Sequence, residues 1–286
     1  MAANQTAPGG AVVVTGASTG IGEACALLLD RSGFQIFAGI RKQADAEALK
    51  RKASDRLTPL FIDVTDAASI AAAAEAVSGA VGEAGLAGLV NNAGIAIAAP
   101  LEFIPAVELR RQLDVNVVGQ IAVTQAFLPL LRNGRGRIVN MGSIGGRLAL
   151  PFTGPYNASK FALEALTDSL RMELRPWGIE VSIVEPGGIA TPIWDKSAAE
   201  GDEIARTFPQ RAYDLYGSAM DALRRVAAAT GKAGSPPEDV AEAVMHALTA
   251  KKPKTRYLVG RDARFRAMLR FLPDRVRDGL ILGQLS

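Results

Sequence analysis

The chain has 286 residues, of which 49% are hydrophobic and 21% charged, with a formal net charge of +3 at pH 7. That length suits one α/β unit able to bury a large core, and its single cysteine, Cys25, excludes an intrachain disulfide, as expected of a cytoplasmic protein. One Cys and one His also leave no metal-ligand cluster, and the mild basicity comes without any nucleic-acid-binding signature, so an anionic cofactor explains it better than nucleic acid.

Residues 1–10 lack a basic stretch followed by an apolar core, so they read as a flexible N-terminus and not a signal peptide. Short apolar strands follow in order: Ala11–Thr15, Gln35–Gly39, Thr58–Ile62, Gly88–Val90, Arg137–Met141, Glu180–Val184 and Arg256–Val259. Helix-like stretches separate them, which is what a parallel sheet needs for its crossovers. Nearly continuous apolar strands imply a sheet covered on both faces. The expected fold is therefore a doubly wound Rossmann-type α/β sandwich of about seven mainly parallel strands, forming one domain over residues 1–286. No apolar run reaches the roughly 18 residues of a membrane span. The best candidate, Ile121–Leu131, contains Gln125 and reads as a buried helix.

Two regions fall outside the alternation. Trp194–Gly234 is a helical insertion at the carboxyl edge of the sheet, where substrate pockets form. Residues 261–286 carry Phe265, Met268, Leu269 and Leu272 among arginines, an amphipathic helical pattern. This tail has three readings: a lid or oligomer surface packed on the body, a peripheral membrane contact, or a solvated end.

After the first strand comes Thr15-Gly16-Ala17-Ser18-Thr19-Gly20-Ile21-Gly22, opening a helix. Gly16 suits a tight turn, Gly20 admits a pyrophosphate close to the backbone, and Gly22 lets helix pack on strand. The helix N-terminus, including Ser18, Thr19 and Ile21, offers free N–H groups to phosphates. The second strand ends Gly39-Ile40-Arg41-Lys42, with no carboxylate for the ribose hydroxyls of NAD. Arg41 can grip a 2′-phosphate, which favours NADP(H) over NAD(H). Asp63-Val64 and Asn91-Asn92-Ala93-Gly94 follow the third and fourth strands at the same edge. Asp63 suits either an adenine contact or a helix N-cap for the stretch from Thr65.

Tyr156 and Lys160 lie four residues apart, so on a helix they share one face. Hydride transfer to a carbonyl needs a proton donor, and an adjacent ammonium brings a phenol into working range. The spacing alone is weak, but Ser143 ends the fifth strand just upstream, and Asn116 interrupts an apolar helical stripe. For Asn116 alone, an ordinary satisfied core amide is the simpler reading.

Taken together, Thr15–Gly22, Asn91–Gly94, Asn116, Ser143, Tyr156, Lys160 and Pro186-Gly187 resemble the ordered motifs of the short-chain dehydrogenase/reductase family over residues 11–192. The resemblance implies Tyr156 as acid/base, Ser143 as substrate orienter and Lys160 as both pKa-lowering neighbour and ribose ligand. It also implies Asn116 in a proton relay, Asn91 shaping the cofactor loop, and Ile189 and Thr191 beside the nicotinamide carboxamide and phosphates. Residues 161–192 resemble the branch acting on retinoids and hydroxysteroids, which implies a bulky apolar alcohol or carbonyl substrate. A homo-oligomer formed through the helices bearing Asn116 and Tyr156 is likewise a family expectation.

Other chemistries fit less well. Ser143 lacks the Gly two residues upstream that a hydrolase nucleophile elbow requires, and His246 lies in a late helix. A 3-oxoacyl-thioester reductase and a catalytically silent nucleotide sensor remain as alternative readings.

Overall fold

The computed structural model describes residues 9–283, so the expectations for residues 1–8 and 284–286 lie outside it. Seven strands form one sheet in the order β3-β2-β1-β4-β5-β6-β7, every neighbouring pair parallel. They are β1 (Ala11–Val14), β2 (Gln35–Ile40), β3 (Leu57–Phe61), β4 (Gly88–Asn91), β5 (Arg137–Met141), β6 (Glu180–Pro186) and β7 (Arg256–Val259). The strand order reverses between β1 and β4, which opens a crevice at their carboxyl ends.

Alternation along β1 shows how the two faces fill. Val12 and Val14 pack with one core, while Ala11 and Val13 pack with the other, as a two-residue period requires. The first core is closed by helices α1 (Gly20–Arg31), α2 (Gln43–Lys50) and α9 (Pro237–Thr249). The second is closed by α3 (Ala67–Val81), α5 (Gly119–Gly134) and α6 (Gly154–Leu174), through residues such as Val77, Phe127 and Leu174. Pro59 sits on the outermost strand, β3, where a missing N–H costs no ladder hydrogen bond.

Between β4 and β5 the chain forms α4 (Ala106–Leu113), a widened π-helical turn at Asp114–Val118, and α5 without interruption. This stretch, Ala106–Gly134, is the one among the described residues that is long and apolar enough to cross a membrane by length and composition. Its apolarity is explained by the sheet beneath it, against which Val123, Phe127, Leu130 and Leu131 are buried.

The insertion consists of α7 (Ile193–Ala205) and α8 (Gln210–Ala233). Ile204, Phe208, Ala212 and Met220 close over Ile97 and Ala99 as a separate apolar cluster. The tail corrects one expectation. Residues from 261 onward form two helices, α10 (Ala263–Leu269) and α11 (Asp274–Leu282), because Pro273 cannot continue a helical ladder. Ala263, Ala267 and Leu269 turn inward on α10, so Phe265 and Met268 of the expected stripe are exposed. Leu269 and Ile281 seat on Leu148.

Cys25 lies wholly buried in α1, and burial pushes its thiol up to about 12. The native chain is expected to resist an aromatic disulfide reagent at pH 8 and to react fully once unfolded in guanidinium. Rapid labelling of the native protein would contradict this packing.

Candidate active site

The crevice between β1 and β4 is tied together by one threonine and one asparagine. Thr15 Oγ1 accepts hydrogen bonds from the backbone N–H groups of Asn92 (2.9 Å) and Ala93 (3.0 Å). Asn92 Nδ2 donates to the carbonyls of Thr15 (2.9 Å) and Gly16 (3.0 Å). Glycine is required at Gly22, where a Cβ would sit 2.2 Å from the Gly16 carbonyl oxygen. It is also required at Gly20, whose φ is 61° and whose absent Cβ would press on Thr191 at 3.2 Å. The turn therefore brings Ser18, Thr19 and Ile21 to the start of α1, opposite Thr191.

Thr19 is the N-cap of α1 but makes no side-chain capping bond, so the first-turn N–H groups have no acceptor from it. Its hydroxyl instead accepts a hydrogen bond from Lys196 Nζ at 3.2 Å, which sets a helix N-terminus and a lysine of the insertion around one turn. That combination fits the phosphates of a dinucleotide.

Asn91, expected to shape the cofactor loop, points into the interior, and its neighbour Asn92 does that work. Asn91 Nδ2 donates into the interior, to Thr124 Oγ1 (2.8 Å) and Asn140 Oδ1 (3.0 Å), and Asn92 shapes the glycine turn. Gly94 follows at a close approach, where a Cβ would lie 3.3 Å from Asn116 Oδ1. At the end of β2, Arg41 Nη1 lies 3.8 Å from Asp63 Oδ2, both side chains being well exposed. Such a pair costs little to part. Asp63 Oδ1 accepts from Thr65 N (2.9 Å) and Thr65 Oγ1 (2.7 Å). These bonds, and then Arg41, hold its carboxyl below the usual range. The N-cap of α3 is Asp66, which accepts from Ala68 N, so Asp63 holds the preceding turn instead. Val64 is buried below it, its carbonyl against Gly119.

The groups expected to react gather at the same sheet edge. Ser143 caps the turn after β5, its Oγ accepting from Gly145 N at 3.0 Å and donating to the Pro186 carbonyl at 3.5 Å. Tyr156 stands in the first turns of α6, partly exposed on the cleft, its ring edge and Ser143 Oγ both lying against Gly145. Lys160 Nζ lies 5.7 Å from the Tyr156 ring centre and donates to the Met141 carbonyl at 2.7 Å.

The electrostatics differ from the expectation of an acidified phenol. Burial pushes Tyr156 above its ordinary value, and the neighbouring Ser143 hydroxyl only partly opposes this. Lys160 is pushed down to about 8, because burial disfavours its ammonium. With Nζ turned to a carbonyl instead of the phenol oxygen, desolvation outweighs the charge–phenol attraction.

Asn116 lies in the π-helical turn. Its Oδ1 accepts from Ile95 N (2.9 Å), and its Nδ2 donates to the Ile95 carbonyl (2.9 Å) and Ser159 Oγ (3.1 Å). This matches the satisfied core amide of the simpler reading, and it clamps the strand-end loop onto α6.

After β6, Gly187 N donates to the Val259 carbonyl at 2.8 Å. The Ile189 carbonyl accepts from Trp194 Nε1 at 2.7 Å. Phe152 also belongs here: its φ of 65° is strained for a residue with a Cβ, and its carbonyl accepts from Ala99 N at 2.7 Å. No sequence signal marks a left-handed phenylalanine, whereas Asn92 was visible as the second of two adjacent amides.

A parallel sheet with a glycine turn at its reversal point and a tyrosine, lysine and serine at its carboxyl edge defines a nucleotide-dependent oxidoreductase. The chain belongs to the short-chain dehydrogenase family: the model described as "short chain dehydrogenase" matches residues 10–202. It is 41% identical over 277 residues to mouse retinol dehydrogenase 5, covering 94% of this chain and 87% of that protein. It is 37% identical over 280 residues to an NADPH-dependent 3-dehydrocapnine reductase of Ornithobacterium rhinotracheale, covering 96% of both. Among solved structures, a short-chain dehydrogenase from Streptomyces avermitilis superposes with a TM-score of 0.77 at 28% identity, covering 96% of both chains. The chain is thus an NAD(P)-dependent oxidoreductase acting on CH–OH or carbonyl groups.

Asn92→Ala removes both bonds to the glycine turn, and the chain is expected to lose about 1–3 kcal/mol of stability together with nucleotide affinity. Unchanged thermal unfolding and unchanged NADPH titration would show that the turn holds without it.

Proposed function

We propose that the chain transfers hydride between NADP(H) and a bulky, apolar secondary alcohol, ketone or aldehyde, with Tyr156 as acid/base. The observation that carries this reading is the placing of Tyr156 beside Ser143, both against Gly145, at the edge where the glycine turn opens. The nucleotide, when bound, supplies or accepts the hydride. Ser143 Oγ holds the substrate oxygen, and the Tyr156 hydroxyl passes its proton to that oxygen during reduction. A phenol kept protonated by burial is in the form that reduction needs. The Lys160 ammonium steadies the phenolate left behind, and Asn116 holds Ile95 and Ser159 behind it in the path assigned to proton return.

An apolar substrate is supported by the apolar wall that Phe152, Ala98, Ala99, Met220 and Leu223 form between the strand-end loops and the insertion, next to Ser197 and the exposed pair of Asp202 and Arg224. The likeness to a protein named retinol dehydrogenase agrees with such a substrate. NADP(H) is favoured because Arg41 stands exposed at the end of β2, parted from Asp63 at little cost. The likeness to an NADPH-dependent reductase agrees.

NADPH oxidation with a panel of hydrophobic ketones and aldehydes tests the chemistry. Tyr156→Phe is expected to lower kcat by at least about a hundredfold while leaving NADPH binding intact. Retained turnover would refute its role. For the cofactor, Arg41→Ala is expected to raise the KM for NADPH roughly 10–100-fold and to leave that for NADH nearly unchanged. Equal effects on both would assign Arg41 to the solvent.

A further inference from the structure

Behind the catalytic face, α6 carries a third ionisable residue in register. Tyr156, Lys160 and Glu164 are spaced four apart, so each stands about one turn above the last. Glu164 enters a buried ionic cluster that draws on every element around it. Arg256 of β7 donates through Nε to Glu164 Oε2 (3.2 Å) and through Nη2 to Asp168 Oδ2 (2.6 Å), and its Nε lies 3.4 Å from Glu185 Oε1. From the turn after β5, Arg147 Nη2 reaches Glu185 Oε1 at 2.9 Å. On α6 itself, Lys160 precedes Glu164 and Asp168 follows, the latter also paired with Arg171. From α10, Arg270 faces the same cleft of about 390 Å³, which opens the cluster to solvent protons.

Glu185 is wholly buried on β6. Neither of its oxygens, nor Glu164 Oε1, receives a well-directed hydrogen bond from a donor. Glu164 and Glu185 thus converge on one guanidinium, that of Arg256, as like charges that oppose each other. The cluster is also joined to the reacting groups by the chain. Arg147 follows Ser143 by four residues, and Glu185 directly precedes Pro186, whose carbonyl receives the Ser143 hydroxyl.

We propose that Glu164 is a positioning residue for this active site: its carboxylate, paired with Glu185 between Arg147 and Arg256, sets the charge on Lys160 one helical turn away. The assignment rests on the reading of Tyr156 and Lys160 as the reacting pair. Burial pushes Glu164 up to about 7, and the charge of Glu185 adds to the rise against the pull of Arg147 and Arg256. Burial brings Lys160 to about 8, and the Glu164 charge works the other way, holding the ammonium. Ionisation of Glu164 near neutrality thus keeps Lys160 charged where it would otherwise begin to lose its proton. As pH falls through about 7 and Glu164 takes up its proton, that support is withdrawn.

The test follows the Lys160 signal by NMR in the full chain labelled with 13C-lysine, the signal being assigned by its loss in Lys160→Met. In the wild type it is expected to show a main step near pH 8 and a smaller inflection near pH 7. Glu164→Gln should remove the inflection and move the main step toward acid by about one pH unit. The alkaline limb of the kcat profile should move with it. Glu185→Gln should keep the inflection but shift it below pH 7, because the like charge that raises Glu164 is gone. A main step unmoved in folded Glu164→Gln, or a kcat limb that ignores a shifted Lys160, overturns the proposal. Should Glu164→Gln fail to fold, an inflection that stays near pH 7 in Glu185→Gln overturns it equally. The NMR readout needs no substrate, so a chain that reduces no carbonyl would refute the proposed reaction while leaving this coupling measurable.

Discussion

Everything in this molecule depends on how β1 and β4 part at their carboxyl ends. Parallel pairing forces all seven strands to deliver their loops to one edge, and the reversal of order there leaves a gap no helix fills. The Thr15 hydroxyl and the Asn92 amide span that gap with four hydrogen bonds of 2.9–3.0 Å to backbone groups. They fix the glycine turn relative to the loop after β4, and through Asn116 that loop is fixed relative to α6. The glycine turn and the helix that carries the proposed proton donor thus share one continuous hydrogen-bonded frame. Chemistry that must align two bound molecules needs a frame of this kind, since misplacement of even an ångström costs rate steeply.

The same frame explains why ionisable groups can be buried so close together. Lys160 spends its ammonium hydrogens on a backbone carbonyl, while Glu164 and Glu185 rely on two arginines from neighbouring elements. Removing either carboxylate leaves a guanidinium short of its counter-charge, whereas removing an arginine leaves two carboxylates facing each other. Desolvation is the dominant influence on Tyr156, Lys160 and Glu164 alike. It raises both acids and lowers the base, so Glu164 and Lys160 are drawn toward neutrality while Tyr156 is held more firmly in its protonated form.

Much of this was legible in the chain before folding, for definite reasons. β-branched runs separated by helical periods give a parallel sheet, and the glycine turn was recognisable because its place after the first strand leaves only Gly tolerable at Gly20 and Gly22. Adjacent amides were harder. In a strand, successive side chains point to opposite faces, so Asn91 ends β4 facing the helix layer and Asn92 turns to the crevice. The break in the tail was written in Pro273, although the apolar pattern at Phe265, Met268, Leu269 and Leu272 suggested one amphipathic helix. Glu164 and Glu185 come together from different elements 21 residues apart, and no local pattern announces such a meeting. The strained backbone at Phe152 is likewise a product of tertiary packing alone.

Trp194 gives the insertion a mechanical role beyond walling the pocket. Its indole N–H holds the Ile189 carbonyl at 2.7 Å, and Gly231 of α8 packs against the same ring. Any outward swing of the two insertion helices must therefore drag the segment after β6 or break that bond. An occupant that moved the insertion would therefore also move the segment after β6, and the coupling would run equally in the reverse direction.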